Sequence, residues 1–264
     1  MPAFQALDGM PYWVELHTSQ LGKARYFYQQ LLGWTITAEP GGNLIARKEG
    51  LPVAGIVPGA ASNTWVTYFL ADDLDQSVRD VATAGGRVLS DPTPTSLGRI
   101  AVAADATGGL FGLIEPEGDE RFVAAGEPGT AVWHDYSSTS NYTAAVAFYE
   151  ELFDWATATF TEGDYSYTTA LADGAAFAGL RDAHALFPSE VPSFWQSFLG
   201  VADVAECCRR AVELGGDVIR APFDAEFGRL AIIADPAGAT FTVCEVAPPV
   251  DEAELRESDD LFSL

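Results

Sequence analysis

The chain has 264 residues, enough for one large domain or two small ones, and either could bury a substantial core. Fourteen Lys and Arg stand against 38 Asp and Glu, a formal net charge of -24, which repels phosphate backbones and anionic membrane surfaces, so no nucleic acid and no membrane partner is expected. No apolar run approaches the roughly 18 residues of a membrane span. The first residues lack a basic segment followed by an apolar one, and the three cysteines show no CxxC spacing. These features point to a cytoplasmic protein with reduced thiols, monomer or homodimer.

In chain order, the alternating YWVELHT reads as a strand. An amphipathic helix follows, with Leu21, Ala24, Phe27, Tyr28, Leu31 and Leu32 at helical spacing and Gly33 at its end. WTITAE, NLIARKE and LPVAGIV are then short strands separated by turns bearing Pro and Gly. WVTYFLA opens a second β-α-β-β-β unit. Its helix lies in DDLDQSVRDVATAGG, Asp at its start and Gly85 at its end, and its last strands are GRVLS, GRIAVAAD and LFGLIEP.

Both units recur. ARYFYQQLLGW returns as AVAFYEELFDW, pairing Phe27 with Phe148, Tyr28 with Tyr149, Leu31 with Leu152 and Trp34 with Trp155, each 121 positions apart. Trp65 and Trp195, Gly85-Gly86 and Gly215-Gly216, and Asp105 and Asp235 repeat at 130. The unequal offsets place a net insertion between the third and fourth units, for which the loop RDAHALFPSEVPS is the expected site. A unit of roughly 50 residues cannot bury both faces of its own sheet, so the units must pair. The expected architecture is α+β, with four βαβββ units paired into two tandem domains. Domain one covers 1–116, a charged linker 117–130, domain two 131–247 and an acidic tail 248–264.

The signature WVELHTSQLGKARYFYQQLLGW, its copy WHDYSSTSNYTAAVAFYEELFDW, and the endings DATGGLFGLIEPEG and DPAGATFTVCEVAP resemble the vicinal oxygen chelate superfamily. That superfamily includes glyoxalase I, extradiol dioxygenases, fosfomycin-resistance enzymes and bleomycin-resistance proteins. The resemblance covers about residues 10–247 and is similar in kind to tandem glyoxalase-like proteins of actinobacteria. It implies two cup-shaped sheets with the helices outside, and in that setting FYxxL packs a helix onto the back of a sheet. It implies no particular activity.

Metal-using members of that family hold a divalent ion with His, Gln and Glu on the first and last strands of paired units. The resemblance puts those positions at Trp13, Val66, Gly112 and near Ala54 in domain one, and at His134, Gln196, Thr242 and near Ala178 in domain two. Matching WHDY to WVEL with one extra loop residue instead puts Trp133 at the first position and turns His134 away from the cup. Neither set contains a carboxylate, so no metal and no cofactor is expected.

Catalytic candidates are His134, Gln196, Glu15 and His17. His17 shares a strand face with Trp13 and Glu15, and a Glu-His pair can transfer protons, although a histidine near a strand end can equally face solvent. His184, in the insertion, is expected at the surface and Cys244 as a buried inert thiol. Trp13, Trp65, Tyr68, Trp133, Tyr136, Tyr165, Tyr167 and Trp195 lie on the expected cup strands, where alternation turns some of them outward. With Gln196 and Thr242 they suit a small hydrophobic or aromatic ligand, such as an aromatic or polyketide-like natural product. The leading expectation is a metal-independent protein that binds or converts such a molecule, for resistance or biosynthetic tailoring, with domain two as the working cup. The alternatives are a divalent-metal lyase, isomerase or dioxygenase of glyoxalase type, and a structural module with a filled cup.

Overall fold

The computed structural model describes residues 3–59, 63–117, 122–124, 126–188, 190–225 and 228–247. The acidic tail expected over 248–264 lies outside the described residues. After a short β1 (Ala3–Gln5), the first unit is β2 (Pro11–Thr18), α1 (Leu21–Leu32), β3 (Thr35–Ala38), β4 (Leu44–Lys48) and β5 (Leu51–Pro58). The second is β6 (Thr64–Leu70), α2 (Leu74–Thr83), β7 (Arg87–Thr95), β8 (Gly98–Ala104) and β9 (Leu110–Pro116). Strand β10 (Phe122–Ala124) falls in the expected linker and pairs antiparallel with β1, an element that the charged sequence of this stretch concealed. The third unit is β11 (Ala131–Ser138), α3 (Tyr142–Phe153), β12 (Ala156–Glu162), β13 (Tyr165–Ala172) and β14 (Ala175–Asp182). The fourth is β15 (Phe194–Val201), α4 (Val204–Glu213), β16 (Asp217–Ala225), β17 (Gly228–Ala234) and β18 (Thr240–Glu245).

The helix ends follow from local chemistry. Asp73 and Asp203 accept from the amides of Gln76 and Glu206, each at 2.9 Å, and Asn141 accepts from Ala144 at 3.1 Å, satisfying donors that a first helical turn leaves unpaired. Helix α1 stops at Gly33 with φ 68°, and α3 stops at Asp154 in the same left-handed region. Among the described residues no helix is long and apolar enough to cross a membrane.

Within each half, two units join through their first strands. The antiparallel pairs β2–β6 and β11–β15 give two eight-stranded sheets, β3-β4-β5-β2-β6-β9-β8-β7 and β12-β13-β14-β11-β15-β18-β17-β16. Among the described residues a single pair, Phe194 with Leu110, connects the sheets.

The cores behind the sheets are shared between the halves. One combines Phe27, Tyr28 and Ile56 of the first unit with Cys207, Ala211 and Phe241 of the fourth. The other combines Phe69, Val81 and Phe111 of the second unit with Phe148, Tyr149 and Leu180 of the third. The repeated motifs meet here. Tyr28 donates to Asp235 Oδ2 at 3.2 Å and receives Trp65 Nε1 at 3.1 Å. Tyr149 donates to Asp105 Oδ2 at 2.9 Å and receives Trp195 Nε1 at 2.7 Å. Both aspartates also cap their own turns, through the amides of Thr107 and Gly109 and of Ala237 and Ala239. A Cβ on Gly86 would stand 2.7 Å from the Phe148 ring, and one on Gly216 would stand 2.9 Å from the Phe27 ring, so the repeated glycines leave room for the other half's phenylalanine.

Candidate functional site

Because successive strand residues face opposite sides of a sheet, the repeat fixes which side chains line each cup. In β11, Trp133 and Asp135 face a cavity of about 730 Å³, within the range of small-molecule sites. Phe160 and Glu162 of β12, Tyr165, Tyr167 and Thr169 of β13, and Arg181 of β14 supply one wall. Gln196 and Phe198 of β15, Arg220 and Phe223 of β16, and Thr242 of β18 supply the other. Tyr165 and Tyr167 stack at 6.4 Å, and the Arg220 guanidinium lies 3.5 Å from the centre of the Phe223 ring.

The chemistry converges on Asp135, only 4% exposed. Its Oδ1 accepts the Tyr167 hydroxyl at 3.0 Å, its Oδ2 lies 3.2 Å from Arg181 Nε, and it sits opposite Gln196 in the β11–β15 register. Burial pushes its pKa up to about 6, against the opposing pull of Arg181 and Tyr167. Gly179 makes the arrangement possible, since a Cβ there would fall 1.8 Å from the Tyr167 hydroxyl and 2.9 Å from Asp135 Oδ1. Asp135, Arg181 and the opposed Gly179 belong to no recognisable motif of the sequence. The signal available was the match of WVEL to WHDY, which pairs Glu15 with Asp135, together with the repeated Ala-Gly of LPVAGIV and AAFAGLR.

The first-half cup has the equivalent carboxylate in Glu15, opposite Val66 and beside Gly55. Glu15 Oε1 accepts Trp13 Nε1 at 3.3 Å, and its Oε2 is 3.7 Å from His17 Nε2, which lies 3.4 Å from the Tyr68 hydroxyl. Burial raises the Glu15 pKa and lowers that of His17. Trp13, Ile45, Val66, Tyr68 and Ile114 pack into one buried cluster, with the Tyr68 ring lying where a side chain on Gly112 would stand, 2.1 Å from its Cβ position.

The remaining candidates take other places. His134 lies on the back of its sheet, where Ser197 Oγ is 3.1 Å from its Nδ1 and Ser197 in turn meets Thr67, so it does not join Gln196 in the cup. Surrounding protein lowers its pKa to about 4. The reason is register: Trp133 occupies the place of Trp13, as Phe198 does that of Tyr68. Trp65, Trp195 and Tyr136 also turn to the back. The two tryptophans bond to Tyr28 and Tyr149, and Tyr136 donates to Asp105 at 2.5 Å. Trp13, Tyr68, Trp133, Tyr165, Tyr167, Gln196 and Thr242 lie on cup faces. His184 pairs with Asp182 in an exposed turn, and Cys244 is buried beside Phe198 and Leu230.

Two curled sheets of paired βαβββ units, each with its interior on one concave face, define the class: the chain belongs to the glyoxalase/bleomycin resistance protein/dioxygenase superfamily, the vicinal oxygen chelate proteins. The family model of that description matches residues 137–243, and one described as a glyoxalase-like domain matches 13–114. The chain is 32% identical to the anthracycline biosynthesis protein DnrV of Streptomyces peucetius, over 90% of this chain and 94% of that protein. It is 31% identical to "Putative glyoxylase CFP32" of Mycobacterium bovis, over 91% and 96%. The fold is shared with the Mn(II)-bound glyoxalase from Novosphingobium aromaticivorans, at TM-score 0.63 and 18% identity, covering 91% of this chain and 84% of that one.

The metal that this family often carries does not fit the donors present. The family's ligand positions hold Trp13, Val66 and Gly112 in one cup and Trp133, Gln196 and Thr242 in the other, leaving one neutral amide and one hydroxyl. Gly55 and Gly179, opposite the two buried carboxylates, add no donor. The Asp135 carboxylate already faces the Arg181 guanidinium, a fixed cation that opposes a divalent ion beside it. Among the described residues no group of three or more His, Cys, Asp and Glu is placed to share an ion.

Proposed function

We propose that the second-half cup is the working site, and that it binds and acts on an aromatic, polyketide-like small molecule without a divalent metal. The observation that carries this reading is the cavity itself, whose flat aromatic walls surround one buried, hydrogen-bonded carboxylate. Trp133, Tyr167, Phe198 and Phe223 offer the rigid apolar surfaces that a fused-ring ligand fills, while Gln196, Thr242 and Asp135 supply the few polar groups that orient it. Charge sharpens the ligand class. The chain as a whole carries a net charge of -24, whereas the cavity lining balances Asp135 and Glu162 with Arg181 and Arg220. That balance suits an uncharged phenolic or quinonoid molecule better than a cation. Likeness to a protein of anthracycline biosynthesis supports the same class.

The test is a fluorescence titration of the full chain with an anthracycline aglycone, paired with metal analysis of the same sample. Saturable one-site binding, unchanged by chelator and weakened about fivefold in Gln196→Ala, is expected, since a lost hydrogen bond costs on the order of 1 kcal/mol. Absence of saturable binding, or binding that requires added manganese or iron, overturns the reading and favours the metal-dependent alternative.

A further inference from the structure

We propose that the second-half cup catalyses proton transfer, with the Asp135 carboxylate as general base toward an acidic C–H beside a carbonyl of an aromatic ligand. The proposal rests on the reading of this cup as the ligand site and adds a reaction to it.

Geometry comes first. Asp135 is almost fully buried yet contributes to the cavity surface, so a ligand that fills the cavity touches it. Tyr167 donates to one oxygen from β13, while Arg181 of β14, whose Nε–H donates to Ser137 Oγ at 2.9 Å, pairs by charge with the other at 3.2 Å, and an ionised carboxylate has about four acceptor positions in all. Gln196 faces it across the strand pair and presents an amide donor on the same cup face.

The step closes without any further reagent. A C–H bond of the ligand breaks, an O–H bond forms on Asp135, and the electron pair moves onto the ligand's carbonyl oxygen as an enolate. Before the step Arg181 balances the carboxylate. After it Asp135 is neutral and the same guanidinium offsets the enolate, with Gln196 donating to the enolate oxygen. Return of the proton to the same carbon gives exchange with solvent, and return to a conjugated carbon shifts a double bond. Nothing is oxidised or reduced.

The acidity of Asp135 agrees with this role. A base works best with a pKa near the working pH, and burial sets that of Asp135 at about 6. The charged and titratable groups facing the same cavity are Arg181 from β14, Tyr165 and Tyr167 from β13, Glu162 from β12 and Arg220 from β16, while among the described residues β15, β17 and β18 bring Gln196, Phe198, Leu230, Ile232 and Thr242. Glu15, the equivalent carboxylate, faces a tryptophan, a histidine and Tyr68, and among the described residues no guanidinium pairs with it, so those residues of the first-half cup supply no fixed cation for the enolate.

The probe is 2-tetralone, a bicyclic aromatic ketone with benzylic C–H bonds next to its carbonyl. Full-length protein is incubated with it in buffered D2O, and loss of the C1 proton signal is followed by proton NMR. Exchange about 100-fold faster than in buffer is expected, and Asp135→Asn should return it to the buffer rate, with partial recovery in Asp135→Glu. Asp135→Asn strands Arg181 and can unfold the chain, so the wild-type pH profile serves as a second readout. The buffer-corrected rate should climb about tenfold per pH unit below pH 6 and level off above it. Wild-type exchange no faster than buffer, an Asp135→Asn variant as fast as wild type, or a buffer-corrected rate that rises with hydroxide without any plateau overturns the assignment. Aglycone binding without tetralone exchange would leave the cup as a binding site and remove only the proton transfer. Exchange without aglycone binding would remove only the ligand class.

Discussion

The two cups are built on one plan and finished differently. Each buries a carboxylate at the same point of its first strand opposite a glycine, Glu15 by Gly55 and Asp135 by Gly179. In the first cup, Tyr68 lies over Gly112 and packs with Trp13, Ile45, Val66 and Ile114. In the second, the same pair is Phe198 and Thr242, and both line the cavity. The hairpins differ as well: β3 and β4 have 4 and 5 residues, whereas β12 and β13 have 7 and 8, and the extra length carries Phe160, Glu162, Tyr165 and Tyr167 to the cavity. A duplicated fold thus changes from packed to open through a few side chains and one longer hairpin. The sheet behind them, which must still pack against the other half, keeps its pattern.

The contrast can be broken most strongly at the ion pair. Arg181→Gln leaves a buried carboxylate without its cation, and the expected loss is about 3 kcal/mol in denaturant unfolding above pH 6. Because the raised folded pKa of Asp135 means that folding favours its protonated form, this loss should shrink as pH falls through 6, where the charge disappears. Among the described residues Glu15 has no arginine partner whose removal would be the equivalent change in the first cup.

His134 offers a second, opposite handle on pH. Its folded pKa of about 4 lies below the ordinary 6.5, so its neutral burial leaves stability intact above 6.5 and erodes it as pH falls toward 4, where the unfolded chain takes up the proton first. Allowing for its residual exposure, wild type should lose on the order of 2 kcal/mol relative to His134→Asn between about pH 7 and pH 4, read from unfolding curves at each pH. Asp135 and Glu15 act in the opposite direction over part of this range, so the difference between variants is the informative quantity.

Transplanting the closed cup into the open one is the sharper test of what closes it. Phe198→Tyr combined with Thr242→Gly recreates the Tyr68 and Gly112 pair, and aglycone affinity should drop by roughly tenfold or more while the melting temperature changes little. A double variant that binds as wild type does would show that hairpin length alone keeps the cavity open. The smallest effects separate packing from recognition. Val66→Ala should cost about 2 kcal/mol of stability through lost packing and leave ligand affinity alone. Gln196→Ala, its counterpart, should cost affinity with little change in stability.

Much of the architecture was legible because the repeat supplied an internal check. FYxxL, the Gly-Gly pair and the Asp of the last turn identified four units without reference to coordinates. What they touch was not legible, since a period of 121 or 130 says that two segments are alike and not that Tyr28 reaches Asp235 in the other half. The aromatic cup residues divided by strand phase: Trp13, Tyr68 and Tyr167 face inward, and Trp65, Trp195 and Tyr136 bond behind the sheet. His134 was ambiguous by one residue of register, and one residue is all it takes to change faces. Asp135 was not legible because the partner that defines it, Arg181, lies three strands later in the chain, and nothing in the sequence brings the two together.

The shared cores also set a timetable for synthesis. Tyr149 finds Asp105 already made, 44 residues earlier, so the second and third units can close as soon as α3 emerges. Tyr28 must wait for Asp235, 207 residues later. At the roughly 5–20 residues per second of a ribosome, that is a delay of roughly 10–40 s, during which the first helix packs on its own sheet and Trp65 but lacks the cover that Cys207, Ala211 and Phe241 of the fourth unit supply. The shared core of the first and fourth units is therefore the last to close, and a nascent chain that stalls before the final strand presents the sides of Phe27 and Tyr28 that Phe241 covers to chaperones or to its neighbours on the polysome.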